Sequence, residues 1–310
     1  MKISLRPLEE SELPRASAIH RQAFLDFLKV PERMLPEIDF VRLRFLANPS
    51  LALAVDGDGA LIGSILGYSL GSLVVVGPVT LQPGIWAKGV GKTMLKMLLR
   101  VARAQGCTHA ASFTFAHSPM HLNWMRGGGL WPRNLVGVFA QAVRPDAGPA
   151  PILFSGLDPT AQARALEDAR ALTTALFPGL DATREIQAAA RIGAGDTVLL
   201  RDGEKLLGLA VCHLGERSEA GRGTCHIKFG AVPSGPEAEQ RFDALLDACQ
   251  ALAAARGLSQ LTAGMNSGHA EAYERLHARG FSLLNTGVAL HGPNDTLYKR
   301  PGVWTIEDWR

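Results

Sequence analysis

The sequence predicts an α/β protein with a mixed sheet, built twice over. Three observations carry that prediction. Apolar runs of strand length alternate with longer amphipathic stretches. Short glycine-ended landmarks recur at a nearly constant offset of about 150 residues. A proline-rich seam, VRPDAGPAP at 143–151, separates the two series.

The first series opens with a strand at 2–8 (KISLRPL) and a helical stretch near 11–28. LIG at 61–63 follows an Asp-Gly turn, and VVGPV at 75–79 reads as a strand. An apolar helix dotted with arginines then ends in VARAQG at 101–106. The strand HAASFTFA at 109–116 follows, and a short helix ends at Gly129-Leu130.

The second series opens with PILFSGL at 151–157 and a helix near 159–176. It repeats the landmarks as LLG at 206–208, KFGAV at 228–232, a helix ending AAARG at 253–257, SQLTAGMN at 259–266 and a helix ending Gly280-Phe281. Each copy reads as strand, one or two helices, three strands, helix, strand, helix, strand. Strands in runs followed by single helices indicate a mixed sheet. The seam sets the expected domains at 1–146 and 150–310. The ending PGVWTIEDWR at 301–310 reads as a further strand that completes one sheet or the other, since the first copy has only one strand after Gly129.

Composition narrows the function classes. At 310 residues, 47% hydrophobic and 20% charged, the chain suits two globular domains. A net charge of +3 with scattered basic residues argues against nucleic-acid and membrane-surface partners. Residues 59–87 carry no charge, which is long enough to span a bilayer. Six glycines and two prolines break that stretch into short runs, so two buried strands with a turn are expected instead. The four cysteines show no CxxC, and the nine histidines form no HxxxH or HExxH pair on a helix. No metal site and a cytoplasmic location are the corresponding expectations.

Chemistry concentrates in QPGIWAKGVGKT at 82–93. Gly89 and Gly91 open an amphipathic helix whose polar stripe is Lys92, Lys96, Arg100 and Arg103 and whose apolar face includes Leu95, Leu98, Leu99 and Ala102. Glycine lets backbone approach a ligand closely, and a helix start offers unpaired N–H groups and partial positive charge, which suits a pyrophosphate. Lys88 and Lys92 add charge nearby. A dinucleotide fingerprint would need a glycine at position 94, which is Met. A Walker loop would match Gly91-Lys92-Thr93 but needs a glycine where Trp86 stands.

The loop and the order of elements resemble the GNAT N-acetyltransferase superfamily, whose acyl-CoA loop reads Q/R-x-x-G-x-G/A after a strand. Here it stands as Trp86-Ala87-Lys88-Gly89-Val90-Gly91, with Trp86 in place of the usual Gln or Arg. GHAEAYERLHARGF at 268–281 and SPMHLNWMRGGGL at 118–130 resemble the family's helix leading into a Gly-Phe step. The resemblance covers most of the chain. It implies two tandem GNAT-like domains, acetyl-CoA as acyl donor and a small-molecule or peptide amine as acceptor. It implies that Trp86 to Thr93 hold the pyrophosphate (Trp86, Ala87, Lys88, Gly89, Val90, Gly91, Lys92, Thr93) and that the main chain of Val79, Thr80 and Leu81 receives the pantetheine.

No carboxylate lies on 72–81 to serve as a base, and His117, at the end of the strand 109–116, is the candidate. Its bland alternative is a cap for the helix that starts near Ser118. The family's Tyr acid is replaced by Met125 in the first copy and Leu276 in the second. The second copy has PSGPEAEQRF at 233–242, with Glu237 and Glu239 where phosphates would lie. Cofactor binding is therefore expected in the first domain alone, the second being degenerate. A non-catalytic acyl-CoA-binding protein stays open as the alternative.

Overall fold

The charge-free stretch that begins at Gly59 folds as two buried antiparallel strands joined by a tight turn at Gly71, whose φ of 62° is open to glycine at no cost. Glycine-punctuated apolar runs thus enter a sheet, and no helix among the described residues is long and apolar enough to cross a membrane. The structure is a computed structural model that describes residues 2–35, 37–85, 89–146 and 148–309.

The first repeat runs β1 (Ile3–Pro7), α1 (Leu13–Leu28), α2 (Phe40–Ala47), β2 (Ala52–Gly57), β3 (Ala60–Leu70), β4 (Leu73–Leu81), α3 (Val90–Ala104), β5 (His109–Thr114), α4 (Pro119–Gly127) and β6 (Trp131–Ala142). The second runs β7 (Ile152–Leu153), α5 (Pro159–Leu176), α6 (Thr183–Arg191), β8 (Gly195–Asp202), β9 (Lys205–Leu214), β10 (Thr224–Val232), α7 (Ala238–Ala255), β11 (Gln260–Asn266), α8 (Ala270–Ala278) and β12 (Ser282–Gly292), with β13 (Trp304–Ile306) after it. The order of elements is the one the landmarks predict.

The two repeats share one sheet, in the order β1-β2-β3-β4-β5-β12-β6-β11-β10-β9-β8-β7. Each repeat lends its last long strand to the other. β12 pairs with β5 of the first repeat (Val288 with Thr114), and β6 pairs with β11 of the second (Val138 with Gly264). β6 and β12 also pair with each other at the centre. The strand that the first copy lacked after Gly129 is therefore β12, not the C-terminal segment.

Alternation along the strands splits the core between the two faces. Leu66 of β3 meets α1 and α2 through Leu13, Ala16, Val41 and Phe45, while Ile65 meets α3 through Met94, Leu95 and Leu98. α5 and α6 cover the central part of the first face, and α7 and α8 extend the second. On α3 the predicted apolar face is buried and Lys92, Lys96 and Arg100 face solvent.

Candidate active site

The site begins where two parallel strands part. β4 pairs with β5 only from Leu73 to Val76, against His109 to Ser112. Beyond that point a bulge at Gly77-Pro78 shifts the register of β4 against β3, so that Ile65 faces Val79 and Gly67 faces Val76. Val79 and Thr80 then have β3 as their one strand neighbour among the described residues. A wedge opens between β4 and β5 with main chain along one wall.

Two hydroxyls stand beside it. Ser64 and Thr80 are registered partners on β3 and β4, both buried, and neither Oγ has a hydrogen-bond partner among the described residues. Leu81 is buried and paired with Gly63, its side chain in the α3 core.

The helix start lies just past β4. Trp86, Ala87 and Lys88 lie outside the described residues. Gly89 is the N-cap of α3, with φ 77°, and no side chain among the described residues caps the helix there. The first N–H groups, those of Val90, Gly91 and Lys92, precede any intrahelical acceptor, and Thr93 N–H donates to the Gly89 carbonyl at 3.3 Å. Packing explains neither glycine. A Cβ on Gly89 would meet nothing within 4 Å, and one on Gly91 would sit 3.7 Å from the Trp124 ring, an ordinary contact. Gly89 is required by its backbone angle, whereas at Gly91 the protein itself leaves room for a side chain.

His117 stands at the end of β5, exposed, in a group of rings drawn from three elements. It stacks against Phe27 of α1 at 6.0 Å and lies 5.4 Å from Phe115. It does not cap α4, because Ser118 does so, accepting from the His121 N–H. His121 is the residue that sequence reasoning missed. Its ring lies 4.7 Å from Phe27, and its Nδ1 is 2.7 Å from Ser118 Oγ. Burial, then the neighbouring His117, hold its pKa below the ordinary 6.5, so the imidazole is neutral near pH 7. The signal was present in Ser118-x-x-His121, since an N-cap serine and the residue three later face each other across the first turn. Met125 is buried against the α3 core, and Trp124 packs beside it.

The second repeat has the same wedge and fills it. β10 pairs with β11 only from Thr224 to Ile227, and β13 pairs antiparallel with β10 from Gly230 to Val232 where the strands have parted. Asp308 then lies against β11, where a Cβ on Gly264 would fall 2.3 Å from its own Cβ. Every residue from Val303 to Trp309 is buried. Trp304 packs on Phe242 of α7 at 5.2 Å, and Thr305 bonds His269 Nε2 at 2.8 Å. At the start of α7, Glu237 pairs with Arg241, and Glu239 pairs with Arg275 at 3.0 Å.

Lys228 of β10 helps bind the repeats together, whereas His226 bonds within its own repeat. Lys228 reaches Glu185 at 2.8 Å and Glu219 at 3.0 Å, and Glu219 also holds Arg44 of the first repeat at 2.8 Å. Both cations lie over the ring of Tyr68, at 4.3 and 4.4 Å. Burial alone would raise the Glu219 carboxyl, but Arg44 and Lys228 hold it well below its usual range. His226 bonds Thr262 at 3.0 Å. Lys228, Glu219 and Arg44 mark an interface rather than a reaction centre.

The model of the GNAT acetyltransferase family matches residues 17–120, the span that holds the wedge, the α3 start and His117. Those residues form a GNAT-family domain. The chain as a whole has the tandem GNAT fold. A candidate acetyltransferase of Pyrococcus horikoshii superposes over 99% of this chain and 95% of its own, at 11% identity and a TM-score of 0.67. A GCN5-related N-acetyltransferase of Sphaerobacter thermophilus covers 97% of each chain at 13% identity, with a TM-score of 0.62. A tandem GNAT protein from the clavulanic acid biosynthesis pathway covers 95% of this chain and 100% of its own, at 14% identity and a TM-score of 0.55. At such identities the likeness is one of fold. No curated protein matches the sequence.

Proposed function

We propose that this GNAT protein is an acyl-CoA-dependent N-acyltransferase that moves acetyl from acetyl-CoA to a primary amine, with the donor held by the domain at 1–146 and not by the domain at 150–310. The observation that carries this reading is the contrast between the two wedges. The first has main chain of Val79, Thr80 and Leu81 along its wall and an uncapped helix start beyond it. The second is occupied by β13 and has Glu237 and Glu239 at its helix start.

The residues present suit an acyl-CoA. A pyrophosphate needs N–H donors and positive field, which the first turn of α3 supplies through the N–H groups of Gly89, Val90, Gly91 and Lys92, with Thr93 closing the turn on the Gly89 carbonyl. Trp86, Ala87 and Lys88 complete the loop in sequence. The unexplained missing side chain at Gly91 leaves that approach open. When bound, acetyl-CoA supplies the activated acyl thioester.

The chain's own groups then have three tasks. The main chain of Val79, Thr80 and Leu81 orients the acyl arm, and the Val79 N–H, which points away from β3, polarises its carbonyl. An alkylamine near pKa 10.4 is only about 0.04% neutral at pH 7, so a proton must be taken from its ammonium before nitrogen can bond to carbon. His117, at the wedge mouth, accepts that proton, and neutral His121 beside it is placed to share the role. Met125 donates no proton, so the leaving thiolate departs unprotonated.

The second reading, a non-catalytic acyl-CoA-binding protein, is favoured by Met125 and by the lack of any carboxylate on β4. Calorimetric titration tests both. Acetyl-CoA is expected to bind with one site per chain, and Mg-ATP is expected to give no heat. Thiol release with an amine then separates enzyme from binder. Absence of acetyl-CoA binding would overturn both readings.

A further inference from the structure

Four rings converge at the end of β5 without belonging to any buried core: Phe27, Phe115, His117 and His121. Phe115 lies 5.9 Å from Phe27 and 5.7 Å from Phe113, so the group continues onto β5 and the wedge. Phe27, Phe115 and His121 are half-buried and His117 exposed. Rings in this state keep apolar faces available to a further ring.

Charge argues in the same direction. His109, His226, His269 and His291 each face a carboxylate within 4 Å, but neither His117 nor His121 does so among the described residues. Of the four acids nearest in sequence to Phe27, three are engaged elsewhere and Glu37 is exposed with no partner among the described residues. Asp26 holds Lys29 at 2.8 Å, Glu32 holds Arg21 at 2.9 Å, and Asp39 caps α2. No carboxylate pairs with the ring group itself among the described residues. A flat apolar body would find edges and faces at stacking distance.

The other repeat closes the back of the group. Gly287 of β12 lies against Phe113, and any Cβ there would fall 2.2 Å from that ring. The lent strand therefore backs the Phe113 ring from the edge of β5 opposite the wedge. On β3 and β4, the buried hydroxyls of Ser64 and Thr80 have no partner among the described residues and can accept from N–H groups.

We infer that the acceptor is a primary amine carried on a flat aromatic body, an arylalkylamine, recognised by Phe27, Phe115, His117 and His121. This rests on the acyltransferase reading above. The test uses the full chain with acetyl-CoA, 2-phenylethylamine and spermidine, following thiol release. Phenylethylamine is expected to exceed spermidine at least about tenfold in kcat/KM. Phe27→Ala should raise KM for phenylethylamine about tenfold, in line with the loss of aromatic contacts, and leave acetyl-CoA affinity within about twofold.

Phe115→Leu, which keeps an apolar volume, should give a smaller rise in KM with the same acetyl-CoA affinity, and this holds the test if Phe27→Ala misfolds. Intact acetyl-CoA binding together with a preference for spermidine, or with KM unmoved in both variants, would overturn the inference alone. Loss of acetyl-CoA binding in the unsubstituted chain would overturn the acyltransferase reading and this one with it.

Discussion

Gly89 and Gly91 are two residues apart and serve different ends. At φ 77° Gly89 sits in the left-handed region, where a side chain costs about 1–2 kcal/mol. Gly89→Ala is expected to lower stability by about that much in urea unfolding and to weaken acetyl-CoA. Gly91 has helical geometry and open space, so Gly91→Ala should leave stability unchanged or raise it by up to about 1 kcal/mol. It should still weaken acetyl-CoA about tenfold or more, a loss readable by calorimetry. Unchanged affinity in that variant would show that nothing approaches the helix start closely. Glu219 tests the interface in the same way. Removing one partner of a buried ion pair costs about 3–5 kcal/mol, so Glu219→Gln is expected to destabilise by that order at pH 7. The sign with pH follows from its lowered pKa. Glu219 contributes stability fully above its unfolded value of 4.5, and that contribution is lost as pH falls through the lower folded value. Acid titration of Glu219→Gln should lack that component.

The C-terminal segment is the element whose role differs most from its sequence appearance. Val303 to Trp309 read as an anchored tail, yet they lie at the centre of the second repeat, inside its wedge. Burying Trp304, Ile306 and Trp309 contributes about 2–3 kcal/mol each by apolar area. Removing 302–310 is therefore expected to lower the melting temperature strongly and to expose the edge of β10, with aggregation visible by light scattering. A truncated chain as stable and soluble as the whole would show that the tail is dispensable. The contrast between α3 and α7 is of the same kind. Both open after a parted strand and neither has a side-chain cap among the described residues, but the first starts on Gly89 and the second carries Glu237 and Glu239, whose charge favours the helix dipole and opposes phosphate.

The exchange of β6 and β12 makes the two halves of the molecule interdependent. Cutting at the proline-rich seam would leave residues 1–146 with β6 but without the strand that lies next to β5. Expressed alone, that half is expected to form a dimer in which two copies of β6 replace the β6–β12 pair, as lent strands allow. Multi-angle light scattering checks this, and a stable monomer would show that β6 can turn back onto β5 within one copy. The ring group depends on the same exchange, since Gly287 of the second repeat backs Phe113 of the first.

The sequence by itself determined the order of elements, the apolar face of α3, the glycine helix start and the pairing of 60–81 as two strands. These are local properties, written in periodicity and in glycine and proline positions. Only the tertiary structure decided which strand sits beside β5, what fills the second wedge and which rings surround His117. β6 and β12 follow the same kind of helix in each copy, so no local pattern states which of two equivalent sheets each will join. The tail's alternation of Trp304, Ile306 and Asp308 fits any parted pair of strands of the right depth. His121 became visible only when the end of α1 was brought across the sheet to the end of β5, a contact between residues nearly a hundred positions apart that no short window contains.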